Sequence, residues 1–347
     1  MLVESPPEQR AAAAAAPPKR RLVRALGLLL AVVLLACVAM TSIGVGAKSL
    51  APDLIWHGLF HDTGTYADIV VRDRISRTVL GLLAGAAFGL SGSVLQALTR
   101  NPLADPGLLG INAGASAAVV TAITFFGVTS LSGYVWFAFA GAAAVGALVW
   151  FLGGSRGATP VRLALSGTAI GAALYGYLQA VMIVDDEALS RMRFWTVGSL
   201  DAATDRTIVQ VLPFLAAGMV LSLALARPLN AMEMGDDTAR ALGAHLGRTR
   251  ALAMLAATVL CGAATAACGP VMFVGLMVPH VVRSFTGPDL RWILPYAAVL
   301  SPVLLLGADI IGRLVARPAE IQVGIVTALI GGPVFIFLVR RRRTAQL

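Results

Sequence analysis

The chain has 347 residues, of which 58% are hydrophobic and 13% charged, against about 45–50% and about 25% in ordinary soluble domains. One water-soluble core cannot hide such a surplus of apolar side chain, so the composition excludes a soluble globular enzyme and makes lipid the expected solvent. The net charge of +9 comes without a soluble basic patch carrying interleaved aromatics, which argues against nucleic acid as a partner.

Residues 1–21 read as a cytoplasmic disordered basic tail, the low-complexity run AAAAAAPPKRRLVR (Ala11 to Arg24) carrying its end into the first apolar run. The apolar run that follows is too long for a signal-peptide core of about 7–15 residues, so it reads as a first transmembrane helix, with a signal anchor as the alternative. Breaks at polar, Gly and Pro clusters divide the rest. The expected spans are 22–46, 76–99, 107–127, 133–153, 161–184, 207–226, 250–268, 270–285, 291–316 and 321–339. Residues 22–339 thus form a ten-helix, all-α integral membrane domain, and 340–347 a second cytoplasmic basic tail. Two-thirds of the 27 Lys and Arg fall on the side of the termini, so the positive-inside rule places both termini in the cytoplasm of a multi-pass protein of the cell membrane.

GAAFGLSGSV (Gly85 to Val94) and GAATAACGPV (Gly262 to Val271) share a GAAxxxxGxV pattern. Five spans per half would make the second copy an inverted repeat; chance similarity between Gly/Ala-rich helices is the other reading. The glycines are read first as packing faces, and Cys37, Cys261 and Cys268 as small buried thiols, since none has metal-ligand spacing.

Chemistry is sparse. GVGAKS (Gly44 to Ser49) lacks the glycine spacing of a P-loop, so no nucleotide is expected to bind by that route. His57 and His61 would share a helix face but have no evident third metal ligand. Asp309 is the one carboxylate well inside an apolar run, with Gln96 and Gln179 as neutral polar neighbours; a relay is one reading of it, and a pair with Arg313 one turn on is the alternative. Ion-coupled transporters usually carry titratable groups in their spans; a pathway nearly free of them needs an external energy source. His280 and Asp309 are isolated in sequence and assemble no catalytic constellation.

Three separated stretches carry a resemblance: Arg77 to Ala115 (RTVLGLLAGAAFGLSGSVLQALTRNPLADPGLLGINAGA), Gly269 to Arg283 (GPVMFVGLMVPHVVR) and Gly307 to Leu338. They resemble the FecCD-type permeases, the membrane subunits of type II ABC importers for iron-siderophores, haem and vitamin B12; the first stretch looks nearest to those for ferric catecholates such as enterobactin. The resemblance implies a permease subunit, not an enzyme, with no cofactor of its own, ATP and Mg being held by a partner. It implies a second permease subunit, identical or related and more expected to be related, two cytoplasmic ATPase subunits, and an extracytoplasmic siderophore-binding protein.

Residue by residue, it places a cytoplasmic gate at Asn101 and Leu103, with a second constriction at Thr159, Pro160 and Val161. Pro102 and Pro106 stiffen the first loop by fixing φ; a plain inter-helix turn is the alternative. Residues 227–249 become the coupling loop, Arg240, Leu242 and Gly243 meeting the ATPase. Asp236 and Asp237 suit a helix N-terminus and Gly243 its end, with Ala239, Leu242 and Leu246 as an apolar docking edge; a helix lying on headgroups is the alternative. Arg74, Arg77 and Arg313 match residues that pair with acidic groups on the binding protein, although Ile75 and Ser76 depart from the usual turn. Headgroup anchoring is the other reading of these charges. Two further function classes remain: an importer permease for haem or vitamin B12, and a secondary transporter coupled to protons or sodium.

Overall fold

The structure is a computed structural model describing residues 18–344 apart from 49, 61–63, 129, 155–159, 202, 242 and 244. Helices form wherever the long apolar runs allow. They are α1 (Pro18–Gly44), α2 (Pro52–Phe60), α3 (Tyr66–Thr99), α4 (Ile111–Phe126), α5 (Leu131–Gly154), α6 (Pro160–Val184), α7 (Asp186–Trp195) and α8 (Asp205–Ala224). There follow α9 (Ala226–Glu233), α10 (Asp236–Ala241), α11 (Leu246–Cys268), α12 (Val274–Thr286), α13 (Leu290–Val315) and α14 (Val323–Thr344).

Each of the ten expected spans falls on a helix. Seven of those helices are long and apolar enough to cross a bilayer, while α4 (16 residues), α12 (13 residues) and the apolar part of α14 (Val323–Phe337) are shorter.

Several boundaries move, and three of the shifts have a clear consequence. The helix α1 starts at Pro18, inside the expected tail, because proline at the first helical position loses no hydrogen bond. The C-terminal helix runs to Thr344, through the arginines assigned to the second tail. The largest shift is in α3, which starts ten residues early. There Thr65 accepts from the Asp68 N–H and Asp68 reaches back to the Thr65 N–H, a capping box that fixes the N-terminus. Ile75 and Ser76 therefore lie within a continuous helix and make no turn. At 1.5 Å per residue, α3 is about 51 Å long, so a bilayer core of about 30 Å leaves one end protruding.

The helices α3 and α11 form the buried centre and pack on each other. The partner of α3 on one flank is α13, and that of α11 on the other is α5. Glycine permits close approach: a Cβ on Gly85 would collide with the Pro302 backbone at the α3–α13 crossing, one on Gly92 with the Gly275 backbone at the α3–α12 crossing, and one on Gly114 with the Gly141 carbonyl at the α4–α5 crossing. Cys261 and Cys268 are buried and free as expected, but Cys37 lies on the exposed face of α1.

Candidate functional site

Two groups of polar residues sit at opposite ends of the bundle. At the end where α3 finishes, Arg100 takes a left-handed φ of 48° and its N–H donates to the Ala97 and Gln96 carbonyls, closing the helix. The next residue, Asn101, accepts from the Leu103 N–H at 3.0 Å. Asp105 then caps a short 3₁₀ turn (Pro106–Leu109), its Oδ1 accepting from the Gly107 N–H at 2.8 Å. The proline-punctuated loop is thus rigid because its side chains bond to its own backbone.

That loop and the start of α6 enclose a cavity of about 360 Å³, lined by Asn101, Ala104, Asp105, Val161 and Leu165 among others. Two of the gate positions, Asn101 and Val161, are therefore brought to one opening. Leu103 is on the loop surface and does not line the cavity. Thr159 lies outside the described residues, and of Pro160 only its place at the first position of α6 is described. Asp105 was not singled out from the sequence, although Asp before Pro at a helix start is the available signal. Burial pushes its carboxyl up to about 6, against the lowering effect of the Gly107 N–H.

Behind the loop lies the segment 227–249. As expected, Asp236 and Asp237 open α10, and Gly243 ends it with φ +80° and its N–H donating to Arg240. The expected apolar docking edge is corrected: Ala239 and Leu246 are buried against the chain itself, because α10 packs on α9 and α11. Leu242 lies outside the described residues. Arg240 is exposed and pairs with Asp237 at 2.8 Å on its own helix. Asp236 takes two guanidinium groups, those of Arg100 and Arg250. Its carboxyl is also partly buried, which alone would raise its pKa, but these two hydrogen bonds hold it below the usual carboxylate range.

At the other end the three arginines assigned to binding-protein docking are buried: Arg74 is 6% exposed, Arg77 7% and Arg313 1%. Arg74 donates to the carbonyls of Ile43, Gly44 and Lys48. The GVGAKS stretch therefore points carbonyls at a cation, the reverse of an amide cradle for phosphate. Arg313 donates to the Ser42 carbonyl, the Ser42 hydroxyl and the Val45 carbonyl, and pairs with Asp309 at 2.9 Å. Arg77 pairs with Asp309, Asp201 and Glu320. Each guanidinium is bonded within the chain because an unpaired one cannot be buried, the buried Arg313 Nε alone of the three groups' atoms lacking a partner among the described residues, and this corrects the expectation of exposed docking groups. Arg72, Arg317 and Lys48 are exposed basic side chains of this region, Arg317 also donating to the Gly46 carbonyl at 2.8 Å. A polar cavity of about 470 Å³ opens over the cluster.

Among the described residues no group of His, Cys, Asp and Glu is arranged to hold a metal ion. His57 Nδ1 lies 3.5 Å from Asp68, tying α2 to α3, and His61 is outside the described residues. Gln96 is buried, its Nε2 donating to the Gly275 and Leu276 carbonyls, while Gln179 is exposed on α6.

The profile of the FecCD transport family matches residues 30–341. The chain is 46% identical over 321 residues to the ferric enterobactin transport system permease protein FepD of Escherichia coli (strain K12), covering 91% of this chain and 94% of that one. It is 37% identical over 324 residues to the hemin transport system permease protein HmuU of Yersinia pestis, covering 92% and 96%. Among solved structures, it is similar to an inward-facing metal-chelate type ABC transporter, with a TM-score of 0.80 and 27% identity over 90% of this chain and 98% of that one.

Proposed function

The chain belongs to the FecCD transport family, and on that premise we propose that it is the permease subunit of an ATP-binding-cassette importer for iron-siderophore complexes. It forms half of a translocation pathway and has no active site of its own. Ten helices span the membrane as two inverted halves of five, with both termini in the cytoplasm. The pairing of α3 with α13, matched by α11 with α5, supports that symmetry. A second, related permease subunit closes the pathway, two ATPase subunits bind beneath, and an extracytoplasmic binding protein delivers the chelate. ATP and Mg belong to the ATPase subunits.

The observation that carries the pathway is the cavity of about 360 Å³ that brings Asn101 and Asp105 of the stiff loop against Val161 and Leu165 of α6. Here the loop closes the cytoplasmic mouth, and segment 227–249 meets the ATPase. The solvent-facing residues Arg240 and Gly243, with Leu242, supply contacts to it. Around Asp309 the geometry favours ATP over ion coupling: its carboxylate is held by both Arg77 and Arg313, so it cannot serve as a proton or sodium relay without breaking that cluster. At the outer end, Arg72 and Arg317 present positive charge to the binding protein, while Arg74, Arg77 and Arg313 hold the surface in shape.

The substrate class is tested by comparing cells lacking this chain with complemented cells for uptake of labelled ferric catecholate, ferric citrate, ferric hydroxamate, haem and cobalamin. Restored uptake of an iron-siderophore is expected. Restoration of haem or cobalamin alone would overturn the substrate assignment.

A further inference from the structure

The stiff loop at the mouth and the coupling segment lie far apart in sequence, yet one carboxylate joins them. Asp236 is the first residue of α10. Its Oδ1 accepts from Arg100 Nη2, and its Oδ2 accepts from Arg250 Nη2 at 2.6 Å. Arg100 is the C-cap of α3, held by its own N–H, and its neighbour Asn101 lines the mouth cavity. Arg250 belongs to α11, the other central helix. The two oxygens of Asp236 thus bridge the mouth loop to the central bundle through the coupling segment.

The surroundings leave this bridge room to move. A cavity of about 370 Å³ lies behind the loop, lined by Gln96, Arg100, Pro102, Glu233 and Arg283. At its wall the buried Gln96 Oε1 and Arg283 Nε have no protein partner. Glu233, on α9, pairs with Arg283 of α12 at 3.0 Å across the same region. Mouth loop and coupling segment therefore face each other across a cavity bordered by the charged side chains of Arg100, Glu233 and Arg283, which can shift without tearing an apolar core. Arg240 is differently placed: it is 63% exposed and paired with Asp237 on its own helix.

We propose that Asp236 is a positioning residue that passes movement of the coupling segment to the mouth loop by way of Arg100. This rests on the importer reading above and adds the route by which nucleotide state reaches the opening.

The test uses the complete complex with its ATPase and binding-protein partners, carrying Asn101→Cys in a Cys37→Ser background, and measures maleimide labelling at position 101 with and without ATP and vanadate. With Asp236 intact, nucleotide is expected to change the labelling rate by about 5- to 150-fold, the range that coupling between sites spans. Asp236→Asn should retain both ATPase subunits and hydrolyse ATP while losing that response, and Asp236→Glu should restore it. Arg100→Gln, which leaves the Asp236–Arg250 pair in place, should lose it too. The proposal is overturned if position 101 never responds to nucleotide, if either neutral variant responds normally, or if Asp236→Asn sheds the ATPase subunits. Chelate uptake by the unmodified complex is scored separately, and its absence would count against the importer reading alone.

Discussion

Arg77 closes on Asp309 from a helix 232 residues away, its Nη2 donating to Oδ1 at 2.7 Å and its Nε to both carboxylate oxygens at 3.1 Å. Arg313 completes the carboxylate's shell from one turn further along α13. The cluster also explains how α1, whose apolar window is only 6% buried, is held: Arg313 and Arg74 bond its last carbonyls, and Ser42 bonds Thr78 at 2.9 Å.

Removing the central charge should therefore unfold this end. Asp309→Asn leaves two buried guanidinium groups sharing one fewer anion, and breaking a buried pair costs about 3–5 kcal/mol. Thermal unfolding in detergent should show a large loss of stability. A variant as stable as the parent would mean that the cluster is solvated.

Charge reversal at Arg77 is expected to act in the same way, through folding. Docking of the binding protein is better probed at Arg72 and Arg317. Exposed pairs contribute about 0.2–1 kcal/mol each, so the double change to Glu should slow association and alter its salt dependence with little effect on melting. Unchanged association kinetics would remove these two residues from the docking surface.

Asp105 gives a stability effect with a defined sign. Its carboxyl is pushed up to about 6 from the ordinary 3.8 by burial, so between those values the folded state holds more proton than the unfolded state. Its contribution is fully favourable below the lower value and declines as pH rises through the upper one. Asp105→Asn keeps a good N-cap and should be more stable than the parent at pH 8, with the advantage shrinking towards pH 4. An equal difference at both pH values would contradict the assignment.

The mouth cavity can be filled. Val161→Trp places a large ring beside Asn101 and Asp105 in a space of about 360 Å³. It should abolish chelate uptake while the assembled complex still hydrolyses ATP. Uptake at the parent rate would mean that this cavity is not on the path.

Much of the helical layout was legible because an apolar run in lipid has one stable local solution, an internally hydrogen-bonded helix. The breaks between runs were equally plain, since Pro and Gly mark them. The start of α3 was not legible: Arg72, Asp73, Arg74 and Arg77 look like a loop, and the signal lay in Thr65 and Asp68, a capping pair with Asp in place of the usual Glu. The short helices α2, α7 and α9 are too brief to register as spans, although Asp185 caps α7 through the Glu187 and Ala188 N–H groups. The polar sites divide in the same way. Local features such as the Asn101 turn and the ends of α10 follow from adjacent residues. The ties of Arg77 to Asp201 and Glu320, or of Arg100 to Asp236, join positions more than a hundred residues apart, and only the folded bundle brings them together.

The most direct measurement is ATP-dependent accumulation of a labelled ferric siderophore in liposomes containing this chain alone, and in liposomes containing it with its partner permease, ATPase subunits and binding protein. Accumulation that requires the partners and ATP, and that survives collapse of the proton and sodium gradients, is the expected result. Accumulation by the isolated chain, or accumulation abolished by collapsing those gradients while ATP is maintained, would contradict it.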